Sequence, residues 1–169
     1  AVDQKLPFGF VGTIEFLFNK NLNAVHYYNA NLKGAVAQFA GADNRLRFGG
    51  SDATVRVNNN VSNAIVLTNK NQGDYKSMTV KLEMPYRKGV WGSLAWTTSN
   101  ATDFMSGGSI ASGSWTGARS VYGNNNLPLS NSDFNIPNRI VGLLGYKIEY
   151  GGEYGGTTSF SIGYIGSQA

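Results

Sequence analysis

The chain has 169 residues, 14% of them charged, a formal net charge of +4 and no cysteine. The length suits one domain or a piece of a larger one, and the lack of cysteine excludes a disulfide framework and thiolate chemistry. No apolar run reaches the roughly eighteen residues of a membrane-spanning helix, and the basic residues are too scattered, with no interleaved aromatics, for nucleic-acid binding.

In chain order, residues 9–19 (GFVGTIEFLFN) alternate, with Phe10, Gly12, Ile14, Phe16 and Phe18 forming an apolar row. A short turn at 20–23 and a second extended run at 24–33 (AVHYYNANLK) read as the partner of an antiparallel hairpin. Residues 34–60 are irregular and loop-like, with strand-like pieces at 35–39 and 53–57. Residues 61–69 are extended and lead into the turn KNQGD. The run 75–84 (YKSMTVKLEM) alternates clearly. Met78, Val80, Leu82 and Met84 form one row with the Lys76 stem at its edge, and Tyr75, Ser77, Thr79, Lys81 and Glu83 form the other. Lys81 and Glu83 are placed to reach opposite charges on a neighbouring strand. The turn PYRKG leads to a partner strand at 90–98, with Val90, Leu94 and Trp96 on one row.

Residues 99–133 have no period, and an irregular connection of 35 residues is long for a compact domain. The last hairpin joins 138–150 to 156–165 through GGEYG. In its first strand Ile140, Leu144, Tyr146, Ile148 and Tyr150 oppose Arg139, Lys147 and Glu149. Thr158, Phe160, Ile162 and Tyr164 continue the apolar row. One row would be costly in a dry core and the other suits lipid. A tight turn at one end and a long loop at the other is the habit of outer-membrane barrels, although the pattern alone leaves a soluble all-β domain open.

No catalytic constellation stands out, so the chain reads as non-enzymatic and free of cofactors. His26 is the single histidine and has no metal-ligand spacing around it. Glu83, Glu149 and Glu153 show no spacing that makes a glycosidase pair. The glycine-rich GGS (49–51) and SGGS (106–109) lack the Lys-Ser/Thr of a phosphate loop. Trp91, Trp96, Trp115, Tyr122 and Tyr146 suit either membrane interfaces or a core. Within the long loop, Phe104, Trp115, Arg119 and Tyr122 are the candidate ligand-contacting residues. Lys81, Glu83, Arg139, Lys147 and Glu149 are the candidate lumen-facing polar residues.

The segment 127–150, LPLSNSDFNIPNRIVGLLGYKIEY, resembles the late barrel region of TonB-dependent outer-membrane receptors of the Bacteroidetes type. Ser132, Asp133, Phe134, Pro137, Arg139, Ile140 and Val141 match a phrase that ends a long outer loop there. Asn138 stands where histidine is more common. Tyr146, Glu149 and Tyr150 match the strand that follows. Residues 6–34, 63–101 and 113–126 resemble earlier parts of the same wall. The resemblance implies antiparallel strands from the wall of a barrel of about 22 strands. Residues 1–169 would then be a partial barrel region with long loops at about 34–60 and 99–133, and with no plug domain. It further implies nutrient uptake (iron chelate, glycan or peptide) at the cell outer membrane. The partners implied are outer-membrane lipid, the remaining barrel and plug and, through a full-length protein, the TonB complex and a surface lipoprotein. A complete barrel of about eight strands and a soluble all-β binding module are the alternative readings.

Overall fold

A computed structural model describes residues 1–105, 107–108, 110–152 and 155–168. Glu153 and Tyr154 of the GGEYG connection, and Ser106 and Ser109 of SGGS, lie outside the described residues. In chain order the elements are β1 (Val2–Lys5), β2 (Val11–Lys20), β3 (Ala24–Asn29), β4 (Ala37–Gln38), β5 (Leu46–Arg47), α1 (Asp52–Val55), β6 (Ile65–Lys70), β7 (Asp74–Arg87), β8 (Val90–Asp103), α2 (Ala111–Gly117), β9 (Ser130–Asn131), β10 (Asn138–Tyr150) and β11 (Gly156–Ser167). They fall into two compact units. The first comprises residues 1–19, 74–101 and 134–168, and the second 20–73 and 102–133.

The first unit is a single antiparallel sheet in the order β1-β2-β7-β8-β10-β11. The alternation at 138–150 fixes its register. Ile140, Gly142, Leu144 and Tyr146 face Trp96, Leu94, Gly92 and Val90 on one side, and Gly166, Tyr164, Ile162 and Phe160 on the other. A slip of one residue would exchange the two faces, so the match of apolar rows across three strands specifies the pairing. The apolar row is open to its surroundings: Phe160 is 61% exposed, Ile162 70% and Tyr164 62%. Among the described residues the buried apolar side chains are Phe104 and Leu127, and both belong to the second unit. The sheet is therefore one layer thick, with an apolar face that no part of its own unit covers.

β7 runs through Pro85 and Tyr86, which the sequence reading gave to a turn. The connection to β8 is only Lys88 and Gly89, with φ of 50° and 86°. Two positive φ values make the tight mirror-image turn that matches strand twist, and glycine takes the second without strain. β1 was not foreseen; it pairs β2 from Val2↔Ile14 to Lys5↔Val11. The connections 6–10, 88–89 and 151–155 are all short, and strand direction puts them at one end of the sheet. At the other end the chain leaves β2 and returns in β7 after a long excursion, and it leaves β8 and returns in β10 after a second. The tight-turn and long-connection rule thus holds for every connection of the sheet.

The hairpin expected between 9–19 and 24–33 does not form. β2 neighbours β7, and β3 pairs β6 in the second unit, from Ala24↔Lys70 to Asn29↔Ile65. KNLN and KNQGD are therefore links between strands of different units and not hairpin turns. The strand-like piece at 53–57 is α1 instead. The Ser51 N–H donates to Thr54 Oγ1 at 3.1 Å, a capping contact that sets the turn of helix despite the β-branched residues.

Candidate functional site

The sheet of the first unit carries a row of polar residues opposite its apolar one. Arg139, Gly145, Lys147 and Glu149 share a face with Trp91, Ser161 and Ser159. Lys147 Nζ pairs with Glu149 Oε1 at 2.7 Å, and Lys81 pairs with Glu83. These charges close on their own strands, two residues apart, and not across strands as the spacing suggested. Tyr86 joins the Lys147–Glu149 pair: its hydroxyl lies 3.4 Å from Glu149 Oε1, and Lys147 Nζ lies 6.0 Å from its ring centre. Arg139 is exposed between Thr97 and Ser167 and has no ion-pair partner among the described residues. Val141, Leu143 and Ile165 also lie on this row, which is therefore mixed rather than purely polar.

Two glycine contacts show how the aromatics are used. A Cβ on Gly145 would stand 2.2 Å from the Trp91 ring, so Trp91 lies flat across that glycine on the polar row. Trp96 and Tyr146 lie on the apolar row, where an interfacial aromatic belongs. Lys76 reaches from the same row to Asp74 Oδ2 at 2.7 Å, with its ammonium 5.7 Å from the Phe18 ring centre. That is the arrangement of a lysine whose stem lies on an apolar surface while its head stays polar.

The second unit is held by asparagines. Asn29 and Asn31 are buried. Asn29 Oδ1 accepts from the N–H groups of Asn31 and Ala64, and its Nδ2 donates to Asn63 Oδ1 at 2.9 Å. Asn125 bonds the backbone of Asn29 in both directions, at 2.8 and 2.9 Å. Asn31 Nδ2 donates to the carbonyls of Asn58 and Val61. The amides of Asn29, Asn31 and Asn125 thus tie residues 29–31 to 58–64 and 125. Near β4 and β5, Arg45 donates twice to the Asp43 carboxylate, at 2.8 Å each, which holds Asp43 down at about 2.

Two cavities open in this unit. One of about 380 Å³ is lined by Asp103, Phe104, Ser114, Arg119 and Asp133 among others. Another of about 800 Å³ is lined by Asn21, Asn23, Val25, Tyr27 and the same Asp103 and Phe104. Of the four candidate ligand contacts, Phe104 and Arg119 meet at the first cavity. Phe104 is only 7% exposed and doubles as core. Trp115 is part-buried, and its Nε1 donates to Asn125 Oδ1 at 2.9 Å. Tyr122 is exposed and lines neither cavity. Among the described residues no three His, Asp or Glu gather as a metal would require.

A one-layer sheet with an uncovered apolar row, a polar row and all its tight turns at one end defines a membrane β-barrel wall. The comparison with protein families agrees: residues 1–168 match the outer membrane beta barrel domain, and the chain belongs to that family. No curated protein and no solved structure matches it. Membership sets aside the soluble binding module and makes the chain a β-barrel domain of the outer membrane.

Proposed function

We propose that this chain forms the late wall of a TonB-dependent outer-membrane transporter that takes up a nutrient such as an iron chelate, a glycan or a peptide. The observation that carries this reading is the division of connections. All the tight ones leave one end of the sheet, while the two long ones make a folded unit with cavities instead of floppy tails. Outer-membrane barrels carry their long loops on the outer side, and in this reading those loops contact substrate and gate its entry. In this reading Phe104, Trp115, Arg119 and Tyr122 belong to the substrate-facing side, and Lys81, Glu83, Arg139, Lys147 and Glu149 line the lumen around a plug.

Two features support a larger, plugged barrel. β1 and β11 each have one neighbour in the sheet, so both edges require further strands. Val141, Leu143 and Ile165 give the inner row an apolar patch that a water-filled pore would leave wet and a plug would cover. The remaining barrel and plug, the TonB complex and a surface lipoprotein are the partners of this reading. Deleting 106–126 in the full-length protein tests it: uptake is lost while insertion into the outer membrane continues. Normal uptake after that deletion contradicts the assignment. Heat-modifiable migration of the 169-residue chain alone would favour a small closed barrel instead.

A further inference from the structure

His26 is 4% exposed, and neither Nδ1 nor Nε2 has a hydrogen-bond partner among the described residues. It sits on β3 opposite Thr68, its ring 6.2 Å from Tyr28 and 5.5 Å from Phe104 by ring centres. A buried imidazole normally donates from one nitrogen and accepts at the other. Two bare nitrogens are tolerable only while the ring is neutral, because a buried cation without an acceptor is far costlier.

Among the described residues no carboxylate is paired with the ring. From β6 the facing charge is Lys70, whose Nζ lies 5.3 Å from the Phe104 ring centre. α2, which packs on β3 and β6, has the sequence ASGSWTG and brings no titratable group. β3 itself brings only Tyr27 and Tyr28. The Asp103 carboxylate, next to Phe104, is engaged by Ser132 Oγ at 2.5 Å. Burial first, and the Lys70 charge second, hold His26 below its ordinary value.

We propose that His26 is an acid-sensitive latch of the second unit: its protonation expels the ring from between Tyr28 and Phe104 and opens the packing of β3, β6 and α2. The latch does not depend on what the protein transports. The sign follows from linkage. The folded value is depressed, so the neutral-state stability is complete above 6.5 and falls as the pH drops below it. One proton taken up on opening raises the open population by up to about tenfold per pH unit in that range.

Hydrogen exchange on the whole chain in detergent tests this, at about pH 7.5 and about pH 5.5, with intrinsic rates corrected. The amides of β3 and β6 are expected to lose protection at the lower pH while those of β10 and β11 keep theirs. His26→Phe, which fills the site without titrating, is expected to flatten the difference. Equal protection at both pH values overturns the latch, as does an unchanged difference in H26F. If H26F does not fold, the wild-type imidazole resonance decides, and with a single histidine it is unambiguous. A midpoint below 6.5 that coincides with the loss of protection supports the latch. Titration at or above 6.5 with β3 and β6 still protected overturns it.

Discussion

The most demanding contacts at the residue scale are small side chains next to large ones. Gly145 is buried under Trp91, and an added methyl would have to displace an indole ring held between paired strands. Gly145→Ala is expected to cost about 1–3 kcal/mol of wall stability, the usual range for overpacking. Trp91→Ala should recover most of that cost in the double variant. Urea unfolding in lipid vesicles measures the cycle, and additive losses would show that the two side chains do not meet. In the second unit, Asn29→Ala leaves the N–H groups of Asn31 and Ala64 without their acceptor. Each buried group so orphaned costs about 1–3 kcal/mol, so hydrogen exchange in β3 and β6 should accelerate while β10 and β11 stay protected. Asp43 gives a separate pH window. Its depressed carboxyl supports the β4–β5 hairpin above its ordinary 3.8, and that support is lost as the pH falls through about 2. A carboxyl carbon titration that finds Asp43 near 3.8 would contradict the Arg45 contact.

Elements with strong alternation were legible in the sequence. The rows of β7, β8, β10 and β11 follow from side-chain period alone, because a period of two fixes which residues share a face. The pairing of β3 was not legible. Consecutive strands usually neighbour one another, and that tendency suggested a β2–β3 hairpin which the excursion between β2 and β7 overrides. β1 (VDQK) has no apolar alternation to announce it and stands by its pairing to β2. The asparagine network was equally hidden, since Asn29, Asn63 and Asn125 are far apart in sequence and no period brings them together. Phe104 and Arg119 could be nominated from residue type, but their meeting at one cavity depends on chain paths that no period encodes. The two faces of β10 should also differ in their tolerance of charge. Leu144→Arg, on the apolar row, is expected to cost about 2–4 kcal/mol if it lies near the bilayer midplane. Ser161→Arg, on the polar row of β11, should cost far less. Equal costs in vesicle unfolding would contradict the assignment of faces.

For the whole molecule, the sheet reads as a wall because it lacks what a soluble sheet needs. Its apolar row faces away from the polar one, and the unit supplies no second layer to bury it. Lipid supplies that layer in an outer-membrane barrel, and family membership is consistent with it. The long connections should face the cell exterior. In intact cells a membrane-impermeant maleimide should therefore label Tyr122→Cys and spare Lys88→Cys at the tight-turn end, and the reverse pattern would invert the orientation.

The central claim is that β10 and its neighbours stand in lipid with one face dry and one face wet. The chain has no native cysteine, so single cysteines at 139 to 150 can each carry a nitroxide without background. Accessibility to oxygen and to a water-soluble nickel chelate, measured in lipid vesicles of the assembled protein, tests the claim most directly. The account predicts oxygen maxima at 140, 144, 146 and 148 and chelate maxima at 139, 145, 147 and 149, in strict alternation. Accessibility without a period of two, or chelate access on both rows, would contradict it.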